Sequence, residues 1–170
     1  MIHYAALQNL VGLKIIMASH AASLRGFIFG PPGEESPGAL RWIVHIQCPW
    51  RIDSQEGIIT GSGDWYEPAD SSSEQGDDWD PAEGDSLQAV RLRELFDDQD
   101  LSKGTISNNT NSLVCTEFKV DSHGDVTIRL TDGYTLRLFP AASWGEHWRI
   151  FPDSETGAHV VCKAPGPILR

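Results

Sequence analysis

Long hydrophobic runs are missing from this 170-residue chain. No stretch approaches the roughly 20 apolar residues that a membrane-crossing helix needs. The N-terminal stretch has no Lys/Arg-rich start, and Lys14 and His20 interrupt its apolar residues, so neither a leader nor an anchor is expected there. Basic charge is also scarce. Thirteen Lys and Arg face 24 Asp and Glu, for a formal net charge of −11. That balance argues against nucleic acid or an anionic membrane as a partner, because both need a cationic face. Cysteine is limited to Cys48, Cys115 and Cys162, an odd number without ligand-like spacing. A disulfide scaffold is therefore not expected, and reduced thiols in the cytoplasm fit better.

The usual catalytic fingerprints are absent too. There is no P-loop, no Gly-x-Ser-x-Gly elbow and no His-Glu-x-x-His helix. Gly61-Ser62-Gly63 starts like a dinucleotide fingerprint, but Pro68 and a run of acids stand where its helix should follow. No cofactor is implied. Asp77, Asp78 and Asp80 lack the full calcium-loop pattern. His45 and Cys48 are three apart, a conceivable ligand pair or nucleophile and base, yet on a regular strand they face opposite sides. His147 and His159 could be neighbours on paired strands, but a metal site would need further ligands. No metal site is expected, and the histidines and cysteines are read as ordinary structural residues.

What is present reads as a folded chain with a real core. Apolar residues make up 40% and charged residues 22%, which is a globular composition, and 170 residues suffice for one domain. Six Trp are many for this length, and several must be buried. Leu40, Trp42, Val44 and Ile46 alternate with mostly polar residues, the signature of a strand with one face packed. Pro49 then marks a bend. Further strands are expected at 13–19, 24–29, 50–52, 58–60, 113–120, 125–130, 134–139, 147–151 and 159–163. Asp132-Gly133 is the strongest hairpin signal. The best helix spans residues 86–98, capped by Asp85 or Ser86, with Leu87, Val90, Leu92, Leu95 and Phe96 on its apolar side. The expected class is α+β: a mainly antiparallel sheet, or a partly open barrel, with this helix packed on it.

A short pattern nearly repeats. Trp50-Arg51-Ile52 and Trp148-Arg149-Ile150 each belong to a strand-like stretch. Trp50 and Trp148 are expected to turn inward. Arg51 and Arg149 would then point to the other face and pair with a carboxylate: Asp53 or Asp64 for the first, Glu146 or Asp153 for the second. These four residues are assigned a structural role.

The remaining feature is the segment of about 64–85, in which every charged side chain is acidic. Its Gly, Ser, Asp and Pro content reads as a loop or mobile insert. A solvated loop would explain the charge alone. Trp65, Tyr66 and Trp79 add aromatic anchors, and some are expected to staple the loop to the body. Asp64, Trp65, Tyr66, Asp77, Asp78 and Trp79 are therefore the candidate binding residues. Acid for long-range attraction and aromatics for contact suit a basic protein partner.

Cys48-Pro49-Trp50-Arg51, followed by Gly57, Ile58-Ile59, Gly61-Ser62 and Asp64, resembles a pattern in small uncharacterised bacterial proteins. Glu146-His147-Trp148-Arg149 resembles its other half. Some members of that set lie near polymorphic toxin systems, where immunity proteins are common. The resemblance implies a non-enzymatic, immunity-like binding protein and no catalytic residues. The alternatives are a self-assembling protein such as a homodimer, and less so a small-ligand binder or enzyme.

Overall fold

Alternation along the chain resolves into two antiparallel sheets in the computed structural model, which describes all residues except 1–3, 22–23, 33–38, 71–78, 82–84, 155–156, 158, 165 and 170. In chain order the strands are β1 (Lys14–Ala21), β2 (Leu24–Gly30), β3 (Trp42–Ile46), β4 (Trp50–Ser54), β5 (Gly57–Gly61), β6 (Thr105–Ser107), β7 (Cys115–Val120), β8 (Val126–Leu130), β9 (Thr135–Leu138), β10 (Glu146–Pro152), β11 (Val160–Lys163) and β12 (Gly166–Leu169). The α-helix α1 covers Leu87–Phe96, and 3-10 turns cover Tyr4–Leu10, Ser62–Tyr66 and Thr131–Gly133. The first sheet runs β12-β11-β10-β3-β2-β1-β6 and the second β5-β4-β9-β8-β7. The fold is α+β, and the two sheets do not close into a barrel. No described helix is long and apolar enough to cross a membrane.

Each sheet turns one parity of residues inward. Across the first sheet Ala18, Phe27, Val44, Ile150 and Val160 lie in register, and all are buried. Across the second, Ile52, Leu136, Ile128 and Phe118 do the same. These rows belong to one cluster of buried side chains, which also takes Leu92 and Phe96 from α1. The chain crosses from the first sheet to the second at Gln47–Pro49: Gln47 N still donates to His147 O at 2.8 Å, and Pro49, which has no N–H to give, accepts at its carbonyl from Phe139 N at 2.8 Å. Asp132 and Gly133 both adopt positive φ (59° and 78°), so the Asp-Gly pair makes the tight β8–β9 reversal.

The near-repeat works as one packing device used in each sheet. Trp50 and Trp148 are buried on the inner faces. Arg51 Nε lies 2.9 Å from Asp53 on the outer face of the second sheet, where Arg137 Nε shares the same carboxylate oxygen at 2.8 Å. Arg149 donates to both oxygens of Glu146, at 2.9 and 2.7 Å.

The helix is shorter than the expected span of 86–98. Ser86 accepts from Ala89 N through its hydroxyl, and Asp97 ends the helix at φ 52°. Its buried row also differs from expectation. Gln88, Leu92 and Phe96, spaced by four, face the core, whereas Leu87, Val90 and Leu95 are only half-buried. A 3.6-residue period permits either stripe, and the polar Gln88 conceals the true one.

Candidate functional site

The acidic segment begins on an ordered base. After β5 the chain makes the Ser62–Tyr66 turn, with Asp64 as its fastener. Asp64 Oδ2 accepts from Thr60 Oγ1 at 2.9 Å and from the Gly61 amide at 3.1 Å. Gly61 is required because a Cβ there would stand 2.7 Å from the Trp50 carbonyl oxygen. The turn drives Trp65 into the body, where it is 9% exposed, and leaves Tyr66 65% exposed. Charged and aromatic residues adjacent in sequence thus take separate tasks. Asp64 shapes the turn, Trp65 anchors it, and Tyr66 faces solvent.

The two ends of the segment are clasped together. Pro68 and Ser86 form an isolated antiparallel bridge. Leu87 N donates to Glu67 O at 2.7 Å, and Ala69 N donates to Asp85 O at 3.1 Å. The segment therefore leaves and rejoins the body at one point, immediately before α1. Residues 62–66 are an ordered 3-10 turn and Pro68 is bridged, so the first part of the segment is not an irregular loop. Asp77 and Asp78 lie outside the described residues. Trp79 is half-buried, and Pro81 lines the same shallow hollow as Trp65 and Asp85.

Beneath Trp65 lies a second hollow, of about 230 Å³, that sequence reading did not anticipate. Its floor is built by β2. Arg25 occupies the inward parity shared with Phe27 and Phe29, directly across from His20 on β1 and Ile46 on β3. A guanidinium thus sits in a row of core positions, 2% exposed. Nη1 donates to Ser19 O at 3.3 Å, and Nη2 donates to Gln88 Oε1. Nε has no hydrogen-bond partner among the described residues. The Gln88 amide also donates to Gly61 O at 2.7 Å, so this one helix residue ties Arg25 to the base of the acidic segment. The Arg25 guanidinium lies 5.8 Å from the Trp65 ring centroid, and the His20 ring lies 4.6 Å from it. Burial pulls the Arg25 pKa down to about 10, which still leaves it charged at neutral pH. Burial, then the Arg25 charge, lowers the pKa of His20.

Trp50, Trp65 and Tyr66 border this hollow together, whereas Trp148 and Arg149 are not among the residues lining it. His20, Arg25 and Gln88 were the residues missed. The signal for Arg25 was its place two residues before Phe27 and four before Phe29. The signal for Gln88 was its four-residue spacing to Leu92 and Phe96.

Of the other sequence candidates, His45 and His159 both lie against the Phe151 ring, at 5.0 and 4.6 Å. His45 lies in the opposite parity of β3 from Val44 and Ile46, with its ring edge-on to that of Phe151. Cys48 is buried. Burial pushes its thiol up to about 12, and those of Cys115 and Cys162 to about 11. At pH 8 none of the three is expected to react with a disulfide reagent in the native protein, and all three should react after unfolding in urea. Rapid native labelling of Cys48 would restore it as a nucleophile candidate. Among the described residues no group of three or more His, Cys, Asp or Glu is placed to hold a metal ion.

Comparison of the chain with protein-family models, curated proteins and solved structures finds no match in any of the three.

Proposed function

We propose that this protein is a non-enzymatic binding module that recognises a basic protein through the clasped acidic segment and the aromatic turn at its foot. The observation that carries this reading is Tyr66. A large aromatic side chain is 65% exposed on a turn held rigid by Asp64 and Trp65, beside the point where the acidic segment leaves the body. A rigid aromatic anchor costs little side-chain entropy on contact, and the surrounding charge speeds encounter with a cationic surface. Asp77, Asp78 and Trp79 extend the same segment in sequence. An immunity-like role against a basic toxin is the most specific form of the reading, and the Cys-Pro-Trp-Arg resemblance supports it.

The test is affinity capture from the cell that makes the protein, run beside the triple variant Tyr66→Ala, Asp77→Asn, Asp78→Asn. The expected result is a basic protein that the wild type retains, that about 0.5 M salt releases, and that the variant fails to hold. Equal retention by wild type and variant would exclude this surface.

A further inference from the structure

The hollow over Arg25 carries a separate function that does not depend on the protein-binding reading. We propose that it is a binding site for a small aromatic monocarboxylate. Four observations meet there. The first is that a guanidinium buried to 2% exposure has only neutral partners: a backbone carbonyl and the Gln88 amide. Asp64, which is not among the residues lining the hollow, accepts through Oδ2 from Thr60 and Gly61. No described carboxylate forms an ion pair with Arg25, although the chain carries 24 acidic residues. Proteins almost never bury a cation without an anion, because the desolvation cost goes unreturned.

The second observation is that Arg25 lines an open hollow, while its Nε, closed to solvent, has no hydrogen-bond partner among the described residues. An entering carboxylate would supply the missing charge and accept from nitrogen in a charge-assisted hydrogen bond. Third, flat and apolar side chains make up much of the wall, with Gln47, Ser62 and Gln88 as its further polar groups. Trp50, Trp65 and the His20 ring border the space with Leu24 and Pro49. Such walls suit a planar ring, and a few polar groups among apolar ones is the usual make-up of a ligand site. Fourth, size and charge set the class. About 230 Å³ falls below the range for drug-sized ligands and suits one ring. The chain's net charge of −11 repels a dianion about twice as strongly as a monoanion, so a carboxylate is favoured over a phosphate.

The experiment is a titration of the full chain with benzoate, benzamide and inorganic phosphate, read by calorimetry and by the Trp65 indole N–H resonance, which Trp65→Phe assigns. Benzoate is expected to saturate with a Kd of about 5 mM or lower and to move that resonance, with benzamide and phosphate each about tenfold weaker. Arg25→Met is expected to weaken benzoate by about tenfold or more. The benzamide comparison uses wild-type protein and stands even if the variant folds poorly. Equal binding of benzamide would show that the charge is not read. Tighter phosphate would refute the carboxylate assignment, and so would the absence of saturation by about 50 mM benzoate.

Discussion

Trp148→Ala is expected to lower the stability of this protein by about 4–5 kcal/mol, the largest loss from any single truncation considered. The side chain is fully buried, in register with Ile46 of β3 and Cys162 of β11 in the first sheet. Its indole N–H donates to Gly124 O at 2.8 Å, and Gly124 lies in the turn between β7 and β8 of the second sheet. The variant therefore opens a large cavity and leaves a buried carbonyl without a donor, in a place that joins the two layers. Against a typical total of about 5–15 kcal/mol, such a loss leaves a marginal fold. Trp148→Phe separates the two contributions. It keeps most of the volume and loses the hydrogen bond, and a cost of about 2 kcal/mol is expected. Urea unfolding of both variants, compared at equal m values, measures the difference. A shift of under about 1 kcal/mol for Trp148→Ala would mean that the sheets are not joined there.

Arg25→Met should act in the opposite direction. The depression of the guanidinium pKa from 12.5 to about 10 corresponds to about 3 kcal/mol spent on keeping the buried charge. Methionine has a similar reach and no charge to desolvate. Part of the gain is returned, because Gln88 Oε1 and Ser19 O each lose a donor, at a combined cost of about 1–2 kcal/mol. The net expectation is a protein about 1–2 kcal/mol more stable than wild type. The sign with pH follows from the direction of the shift. A base whose folded pKa lies below its unfolded value destabilises the fold while it is charged, at every pH below about 10, and the penalty fades as pH rises through that value. The stabilising effect should therefore be flat between pH 6 and about 9 and shrink at higher pH. A loss of more than about 1 kcal/mol at pH 7 would show that the guanidinium holds the structure together, and that no ligand need be invoked for it.

The framework was readable because its signals are strong and local. Alternation in 40–47, Asp132-Gly133 and the Trp-Arg triplets all act through a two-residue period or a turn with a fixed backbone demand. The α+β class and the helix position follow from them. β6 was hidden because Thr105–Ser107 is too short to show a period, and it gains its place by pairing with β1. The hollow was hidden for a different reason. Its two central residues, Arg25 and Gln88, are polar groups at core positions, and hydrophobic patterning counts such residues as exposed. Their burial arises only when β2, α1 and the Ser62–Tyr66 turn come together. Trp65 was read both as a binding residue and as one of the aromatics that could staple the loop to the body, and its indole packs against His20 and Arg25. Sequence alone does not tell an anchor from a contact, because both are aromatic residues beside acids.

The bridge between Pro68 and Ser86 has one more consequence. Because the chain returns to its point of departure, both ends of the excursion are fixed at one neck, with Trp79 half-buried and Pro81 against the hollow that Trp65 also lines. Doubling the length of such an excursion costs only about 0.6 kcal/mol of closure entropy. The neck thus uncouples the length of the excursion from the start of α1, because Leu87 N and Ser86 are held by Glu67 and Pro68 whatever the distance along the chain between them.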